Sequence, residues 1–148
     1  MSYRSIGLAA FFGILAAGIA IAAQNPIGER KQLMKDNGEA TKLVTAMLKG
    51  EKPYDAKQAE TAMKSINASI AKFVALFPKG SETGDDTAAK PEIWTNKAEF
   101  ESIAKQLDAV TAKAAAAAPG GLDSFKTAMA EVGKTCKACH EKFRLEKK

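Results

Sequence analysis

Four segments of this 148-residue chain repeat apolar residues at the period of an α-helix, and this pattern is the strongest constraint on its fold. The segments run from about 27 to 49, 56 to 77, 95 to 117 and 122 to 145. Proline and glycine residues, including Pro26, Gly50 and Pro78, lie at their boundaries, where such residues start or stop helices. No segment shows the period-two alternation of a half-buried β-strand. The sequence therefore predicts an all-α protein.

The lengths of the connections predict how these helices pack. Two connections are short and one, residues 78–94, is long, which favours an antiparallel four-helix bundle in up-down-up-down order. The apolar positions advance in steps of three and four, a mean spacing near 3.5 residues that is typical of left-handed bundles. Unequal side-chain sizes along the stripes favour a closed monomeric core over a coiled-coil oligomer or an array of helical hairpins. At the start of the second helix, Asp55 and Gln58 form a capping-box pattern.

Residues 1–23 have the features of a secretory signal peptide. A short positively charged start precedes an uncharged apolar run, and residues 20–22 fit the A-x-A cleavage pattern. The alternative is a retained membrane anchor, but the apolar run of about 16 residues is short for a bilayer span of about 20. We therefore expect cleavage after Ala22 or Ala23. Residues 24–148 would then be exported as one soluble domain to the periplasm, an oxidising compartment.

The charge pattern gives little support to nucleic-acid binding. The formal net charge is +5, but Lys and Glu are interspersed along the chain without a run of five like charges. Aromatic residues are not interleaved with a basic patch, as they are in many nucleic-acid-binding surfaces. A mildly basic surface of this kind can instead steer an acidic partner protein.

Both cysteines and the only histidine of the chain lie within five consecutive residues, from Cys136 to His140. On a helix, Cys136 and His140 are four residues apart and Cys139 is three from Cys136, so all three share one face. Two thiols can there add to the two vinyl groups of a haem while the adjacent imidazole coordinates its iron. The pattern C-x-x-C-H is the sequence signature of such c-type haem attachment.

Three other uses of these residues fit less well. A thioredoxin-like dithiol normally opens a helix in a βαβ setting, whereas this pair lies near the end of a helix in an all-α chain. A zinc site needs four ligands, and the chain has no second cluster of Cys or His to complete one. A disulfide between Cys136 and Cys139 would close only a very small loop and stabilise little.

The bundle order also predicts where a sixth iron ligand must lie. The C-terminal end of the fourth helix is level with the N-terminal end of the first, and Met34 lies about two turns into that first helix. Met47 and Met63 belong to the opposite end, and Met129 is about 16 Å from His140 along their shared helix. We predict that Met34 is the sixth ligand. The alternative is a methionine that only fills space in the core.

Two arginines are candidates for contacts with the haem. Arg30 precedes Met34 by one turn, where its guanidinium could pair with a propionate. Arg144 follows His140 by one turn and could tune the hydrogen bonding of the imidazole. The alternative for each arginine is a solvated surface charge. Aromatic side chains that would enclose a flat apolar cofactor gather at the same end: Phe73, Phe77, Trp94, Phe100 and Phe143.

Together these residues resemble the cytochrome c′ and cytochrome c-556 family. The resemblance covers essentially the whole mature chain, and the matching stretches are ERKQLMK, MLKGEKPYD, GSETGDDTAAKPEIW and VGKTCKACHEKFR. Members of this family are periplasmic four-helix bundles with one covalent haem near the C-terminus. The resemblance implies thioether bonds at Cys136 and Cys139, with His140 as the proximal ligand. It also implies that Arg30 lies near a propionate and that Met34 occupies the distal position.

The resemblance implies two functions that differ at the distal position. In the c-556 branch a methionine is the sixth ligand, which gives a low-spin electron carrier. In the c′ branch the distal residue does not bind iron, and an apolar pocket admits nitric oxide or other small gases such as carbon monoxide. Relatives often pair through their first two helices, so a homodimer is left open.

From the sequence we expect a monohaem electron carrier that exchanges single electrons with periplasmic redox partners. No residue stands out as a catalytic acid, base or nucleophile, so we do not expect an enzyme. A gas-binding protein is the second hypothesis. An exported helical binding module without haem, in which the cysteines form a disulfide, is the third.

Overall fold

The computed structural model describes residues 25–146, in which every long element is a helix. The helices are α1 (Pro26–Leu48), α2 (Ala56–Phe73), α3 (Glu92–Thr95), α4 (Lys97–Ala117) and α5 (Leu122–Phe143), and short 3-10 turns at Val74–Leu76 and Ala118–Gly120 extend α2 and α4. The prediction of an antiparallel four-helix bundle is confirmed, with α1, α2, α4 and α5 as its members. The predicted signal peptide lies outside the described residues. In the described range, no helix combines the length and apolar character needed to cross a bilayer.

The structure differs from the predicted boundaries by a few residues at several helix ends, and two of these differences lie next to the candidate site. The short helix α3 lies where the sequence predicted the end of an irregular connection, because four residues are too few to display a helical period. Buried Ile93 anchors this turn in the core. The last helix ends at Phe143 and not at Leu145, because Arg144 is extended and both Arg144 and Leu145 pair with the long connection.

Side-chain caps fix where the first two helices begin. The Gly28 amide donates to Asn25 Oδ1 at 2.8 Å, with Pro26 at the first helical position. The predicted Asp55 cap is confirmed, since the Gln58 amide donates to Asp55 Oδ1 at 2.9 Å. The Gln58 side chain also donates to the Asp55 carboxylate, at 2.9 Å, where a standard capping box would use the backbone amide of the cap residue.

The four long helices pack in chain order. Helix α1 packs on α2, α2 packs on α4, and α4 packs on α5, whereas α1 and α5 hardly touch. The main core fills the middle of the bundle with apolar side chains from all four helices, of which the largest fully buried are Val44, Met63, Ile66, Phe125 and Val132. A second cluster of buried apolar residues lies at the end where the long connection meets α5: Phe77, Ile93, Phe100 and Phe143. The space between α1 and α5 is where the candidate site lies.

Candidate haem site

A cavity of about 560 Å³ opens within the bundle, at the end that the long connection covers. Its walls come from α1, α2, α4, α5 and the connection, and most of its lining is apolar. Sites for small molecules and cofactors in proteins typically measure about 300–1,000 Å³ and are mainly apolar with a few polar groups. The cavity has the size and character of a cofactor site.

The three residues of the C-x-x-C-H motif line the α5 wall of this cavity. They extend the buried stripe of α5, in which Val132 and Phe125 pack into the main core about one and three turns before Cys136. Both thiols are free and half-buried. Addition to the vinyl groups of a haem requires two free thiols on one face, and α5 provides that arrangement.

Burial sets the protonation of the two thiols. It raises the pKa of Cys139 to about 11, and the neighbouring Cys136 thiol adds to the shift. Burial also raises the pKa of Cys136. Redox-active dithiols have a lowered pKa, because the thiolate is the reactive form. The electrostatics therefore disfavour the thioredoxin-like alternative.

His140 lies in the last turn of α5 beside the two thiols. Burial lowers its pKa, and the positive charge of Arg144 lowers it further. Both effects favour the neutral imidazole, which is the form that coordinates a metal. Arg144 also lines the cavity, so the structure brings this predicted pair together. Among residues 25–146, no hydrogen bond joins the Arg144 side chain to the imidazole, and the charge is the interaction that the structure gives.

Met34 lines the α1 wall of the cavity and is half-buried. Met47 and Met63 are buried in the main core and do not line the cavity, as their place in the bundle predicts. Met129 does line it, which the distance along the helix had not indicated. Because Met129 shares α5 with His140, it belongs to the same wall. Met34 is therefore the methionine that lies across the cavity from the histidine.

Arg30 is buried, with only 4% of its surface exposed, so the alternative of a solvated surface charge is wrong. Its Nη1 donates to Leu76 O and to Ser81 Oγ, both at 3.0 Å. Its Nη2 donates to Ser81 O at 2.9 Å and to Thr87 Oγ1 at 3.2 Å. Three of its five N–H groups thus hold the long connection, a fourth holds Leu76 at the end of α2, and the Nε–H is left.

The charge of Arg30 has aromatic neighbours and no carboxylate in contact. The guanidinium carbon lies 4.5 Å from the ring centre of Phe77 and 5.7 Å from that of Trp94, within cation–π range. Burial lowers the pKa of Arg30, and the nearby Glu82 carboxylate opposes this effect. None of the ion pairs within residues 25–146 includes Arg30. A buried positive charge therefore lies at the cavity wall without a directly bonded negative partner.

The long connection is also bonded to the end of α5. The Lys90 amide donates to Phe143 O at 2.9 Å and the Leu145 amide donates to Ala88 O at 2.8 Å. These bonds flank an isolated antiparallel bridge between Ala89 and Arg144. The sequence predicted that the connection would close this end of the bundle. It did not predict these bonds, since backbone donors and acceptors have no side-chain pattern.

The five aromatic residues predicted at this end do gather there. Phe100 is the centre of the group, with its ring centre 4.9 Å from that of Phe77, 5.4 Å from Phe143 and 6.3 Å from Phe73. These four rings line the cavity. Trp94 does not line it; its ring packs edge-on to Phe77, and its Nε1–H donates to Pro78 O at 3.2 Å. Most of the predicted enclosure for a flat apolar cofactor is thus present.

The residues of the cavity fit a covalently attached haem. One wall offers two free thiols and a neutral imidazole, and the opposite wall offers a thioether. Aromatic rings and a buried cation complete the lining. This donor set matches the attachment and axial ligation of c-type haems.

Known proteins resemble this chain over almost its full length. A family model described as cytochrome c′ matches residues 25–144. A cytochrome c′ of Rhodopseudomonas palustris is 40% identical over 137 residues, which cover 90% of this chain and 91% of that protein. A cytochrome c-556 of Agrobacterium fabrum is 36% identical over 147 residues, which cover 99% of each chain.

The fold agrees with this similarity. The solved structure of cytochrome c′ from Rhodopseudomonas palustris superposes with a TM-score of 0.81 at 38% identity, over 84% of this chain and 99% of that one. The chain belongs to the cytochrome c′ family of haem proteins, and Cys136 and Cys139 are the attachment cysteines of its single covalent c-type haem.

Proposed function

We propose that this protein carries single electrons as a monohaem cytochrome, with His140 and Met34 as the axial ligands of the iron. The observation that carries the proposal is the position of Met34, on the wall of the cavity opposite the helix of His140. Met34 is half-buried and packs at the edge of the main core, whereas Met47 and Met63 are buried inside that core and do not line the cavity. Its thioether is therefore available to a group inside the cavity.

The haem, when bound, supplies an iron that gains and loses one electron. The residues of this chain hold and tune that site. A thioether ligand such as Met34 favours the reduced state and raises the reduction potential. The aromatic and aliphatic lining excludes water. The uncompensated charge of Arg30 at the cavity wall supports its predicted place near a propionate, for which the Nε–H is the remaining donor.

Charges around the cavity support an acidic redox partner. Lys31, Lys35 and Arg144 line the cavity, and none of them belongs to an ion pair within residues 25–146. By contrast, Lys137 and Lys142 on α5 each form an ion pair with a glutamate. Free positive charge beside the site would speed the encounter with an acidic protein, in a way that salt suppresses.

Export and the lack of catalysis are part of the same proposal. The signal peptide predicted at residues 1–23 and the periplasmic location of this family support transport of the mature chain to the periplasm. The named relatives are cytochromes c′ and c-556, which supports a protein that is not an enzyme. A binding module without haem, the third hypothesis from the sequence, is wrong, because the family carries haem.

The absorption spectrum of purified holoprotein tests the axial pair. We expect wild-type protein to be six-coordinate and low-spin in both oxidation states, and Met34→Ala to be high-spin. Met129→Ala is the matched control, because it removes the other cavity methionine from the wall of His140 and should leave the spectrum low-spin. Wild-type protein that is high-spin in both states would overturn the proposal.

The second candidate is a five-coordinate protein that binds nitric oxide. A mutant of the cytochrome c′ from Alcaligenes xylosoxidans has been solved as a nitric oxide complex, and that chain is 32% identical to this one with a TM-score of 0.75. The mainly apolar lining of the cavity as a whole favours entry of a small neutral gas. A high-spin wild type that binds nitric oxide would support this function.

Another related structure is of a cytochrome c′ with ligand-controlled dimer dissociation, so a homodimer stays a prediction for this chain.

A further inference from the structure

The two helices that carry the proposed axial ligands hardly touch each other. Met34 belongs to α1 and His140 to α5, and the cavity lies between them. In most helix pairs, interlocked side chains set the separation of the axes. The backbones of α1 and α5 make few such close approaches, and the long connection is bonded to both helices.

The first attachment is Arg30 on α1. Its two Nη atoms donate to Ser81 O and Oγ and to Thr87 Oγ1, as well as to Leu76 O. Ser81 is itself buried, and its hydroxyl donates to Pro78 O at 2.9 Å. Hydrogen bonds to a charged donor are stronger than neutral ones, and removing a buried partner leaves the others unsatisfied. This attachment is therefore firm.

The second attachment begins one residue after the first ends, at Ala88, whose carbonyl accepts from the Leu145 amide. Thr87 Oγ1, which accepts from Arg30, also accepts from the Ala89 amide at 3.3 Å. Ala89 forms the bridge with Arg144, and Lys90 is bonded to Phe143. Residues 87–90 thus form a strap that is held by α1 at one end and by α5 at the other. Three residue steps of extended chain reach about 10 Å at most, so the strap limits how far the two helices can separate.

We propose that Arg30 is a positioning residue that acts through the strap of residues 87–90 to set the separation of α1 and α5, and with it how closely Met34 approaches the iron. The inference rests on the proposed place of Met34 at the distal side of the haem. Arg30 and Met34 are four residues apart on α1, about 6 Å along its axis. Hydrogen bonds that hold Arg30 in place therefore also hold the adjacent helical turn that carries Met34. This role differs from neutralising a propionate, because it depends on the hydrogen bonds of Arg30 and not on its charge alone.

Two variants separate the bonds from the charge. Arg30→Gln removes both, whereas the double variant Ser81→Ala/Thr87→Val removes acceptors of Arg30 and leaves its charge in place. Asn67→Ala is the matched control, since the Asn67 amide joins α2 to α4 through bonds of 2.8 Å to Asp108 and 3.1 Å to Thr111, away from the strap. It weakens the bundle without touching the strap.

The first measurement is the carbon monoxide affinity of the reduced holoprotein. A looser α1 lets Met34 move aside more often, and a tenfold rise in that open fraction raises the apparent affinity about tenfold. We expect such a rise for both strap variants and none for Asn67→Ala. The second measurement is amide hydrogen exchange at Lys90 and Leu145, which should quicken in the strap variants alone.

Two results would overturn the inference. If Arg30→Gln raises the affinity but the double variant does not, Arg30 acts through its charge. If Asn67→Ala raises it equally, the effect is one of general stability. The absorption spectrum of the wild type tests the proposed function separately. If the wild type is high-spin, Met34 would still flank the distal side, and the ratio of carbon monoxide affinities between variant and wild type would still report how far Met34 blocks the iron. Should Arg30→Gln fail to mature, the double variant, which retains Arg30, decides.

Discussion

The two ends of the bundle differ in which side chains lie where the helices meet. At the end remote from the cavity, buried alanines from α2, α4 and the turn after α4 face one another: Ala59, Ala62, Ala114, Ala115 and Ala118. There the Tyr54 hydroxyl donates to Ala118 O at 2.7 Å. At the cavity end, phenylalanine rings and the long connection take the place of direct contact between α1 and α5.

This difference implies that one end of the bundle mainly stabilises the fold, whereas the other end also forms the cofactor site. Small side chains let backbones approach closely, so α2, α4 and the turn after α4 pack directly against one another at the alanine end. Large rings at the other end hold the helices apart and line a space for a cofactor. The comparison implies that damage to one end should lower stability only, and that damage to the other should also alter the haem.

The largest expected effect comes from the same truncation made at each end. Phe125, 0% exposed, lies at the alanine end, and Phe100, 2% exposed, lies at the cavity end. Phe125→Ala and Phe100→Ala should each lower the free energy of unfolding by about 3–5 kcal/mol, measured with denaturant. Only Phe100→Ala should change the absorption spectrum of the haem. An equal spectral change in Phe125→Ala would show that the two ends are not independent.

A smaller effect is expected when alanines are enlarged. Ala114→Leu overfills the tightly packed end and should destabilise the protein by about 1–3 kcal/mol without lowering the ratio of haem to protein. Ala104→Leu, on the cavity wall, has space to occupy and should lower that ratio, since the larger side chain competes with the cofactor. Haem content by absorbance and unfolding by circular dichroism check both. Normal haem content in Ala104→Leu would mean that the cavity is larger than the haem requires.

The smallest effect is a pH dependence at the alanine end, from the Asp55 cap. Hydrogen bonds from the Gln58 backbone and side chain lower the pKa of Asp55 below its usual 3.8. The stability that this carboxylate contributes is therefore present above pH 3.8 and is lost as the pH falls through the lower pKa of the folded state. Asp55→Asn keeps a capping oxygen but does not titrate. The stability advantage of the wild type should shrink below pH 3.8, while an advantage that persists unchanged in acid would contradict this origin.

The parts of the fold that repeat along the sequence were predictable. The four long helices follow from apolar periodicity, and the α2 cap follows from the spacing of Asp55 and Gln58. The α5 wall follows from the spacing of Cys136, Cys139 and His140 on one helical face. Met34 reaches the cavity because the bundle order brings the two helix ends level. Each of these is a local pattern or a simple consequence of topology.

The parts that depend on irregular backbone were not predictable. The four bonds of Arg30 end on the Leu76 carbonyl after α2 and on one carbonyl and two hydroxyls of the long connection, and such acceptors show no period. Trp94 was expected to enclose the cofactor, but its bond to Pro78 turns it away from the cavity. Met129 lines the cavity although it is about 16 Å from His140 along α5, because distance along a helix does not report how deep the cavity extends.

The weak contact between α1 and α5 has a consequence for how the polypeptide folds. These helices are the pair most distant along the chain, and every strong helix contact joins consecutive long helices. The bundle can therefore form from successive hairpins, without first closing the longest and entropically most expensive loop. We expect the polypeptide to refold on the microsecond-to-millisecond scale of helical bundles, which stopped-flow or temperature-jump measurements would test. The approach of α1 to α5 would then be a late step of folding. It would depend on the strap and the cofactor more than on contacts between the two helices.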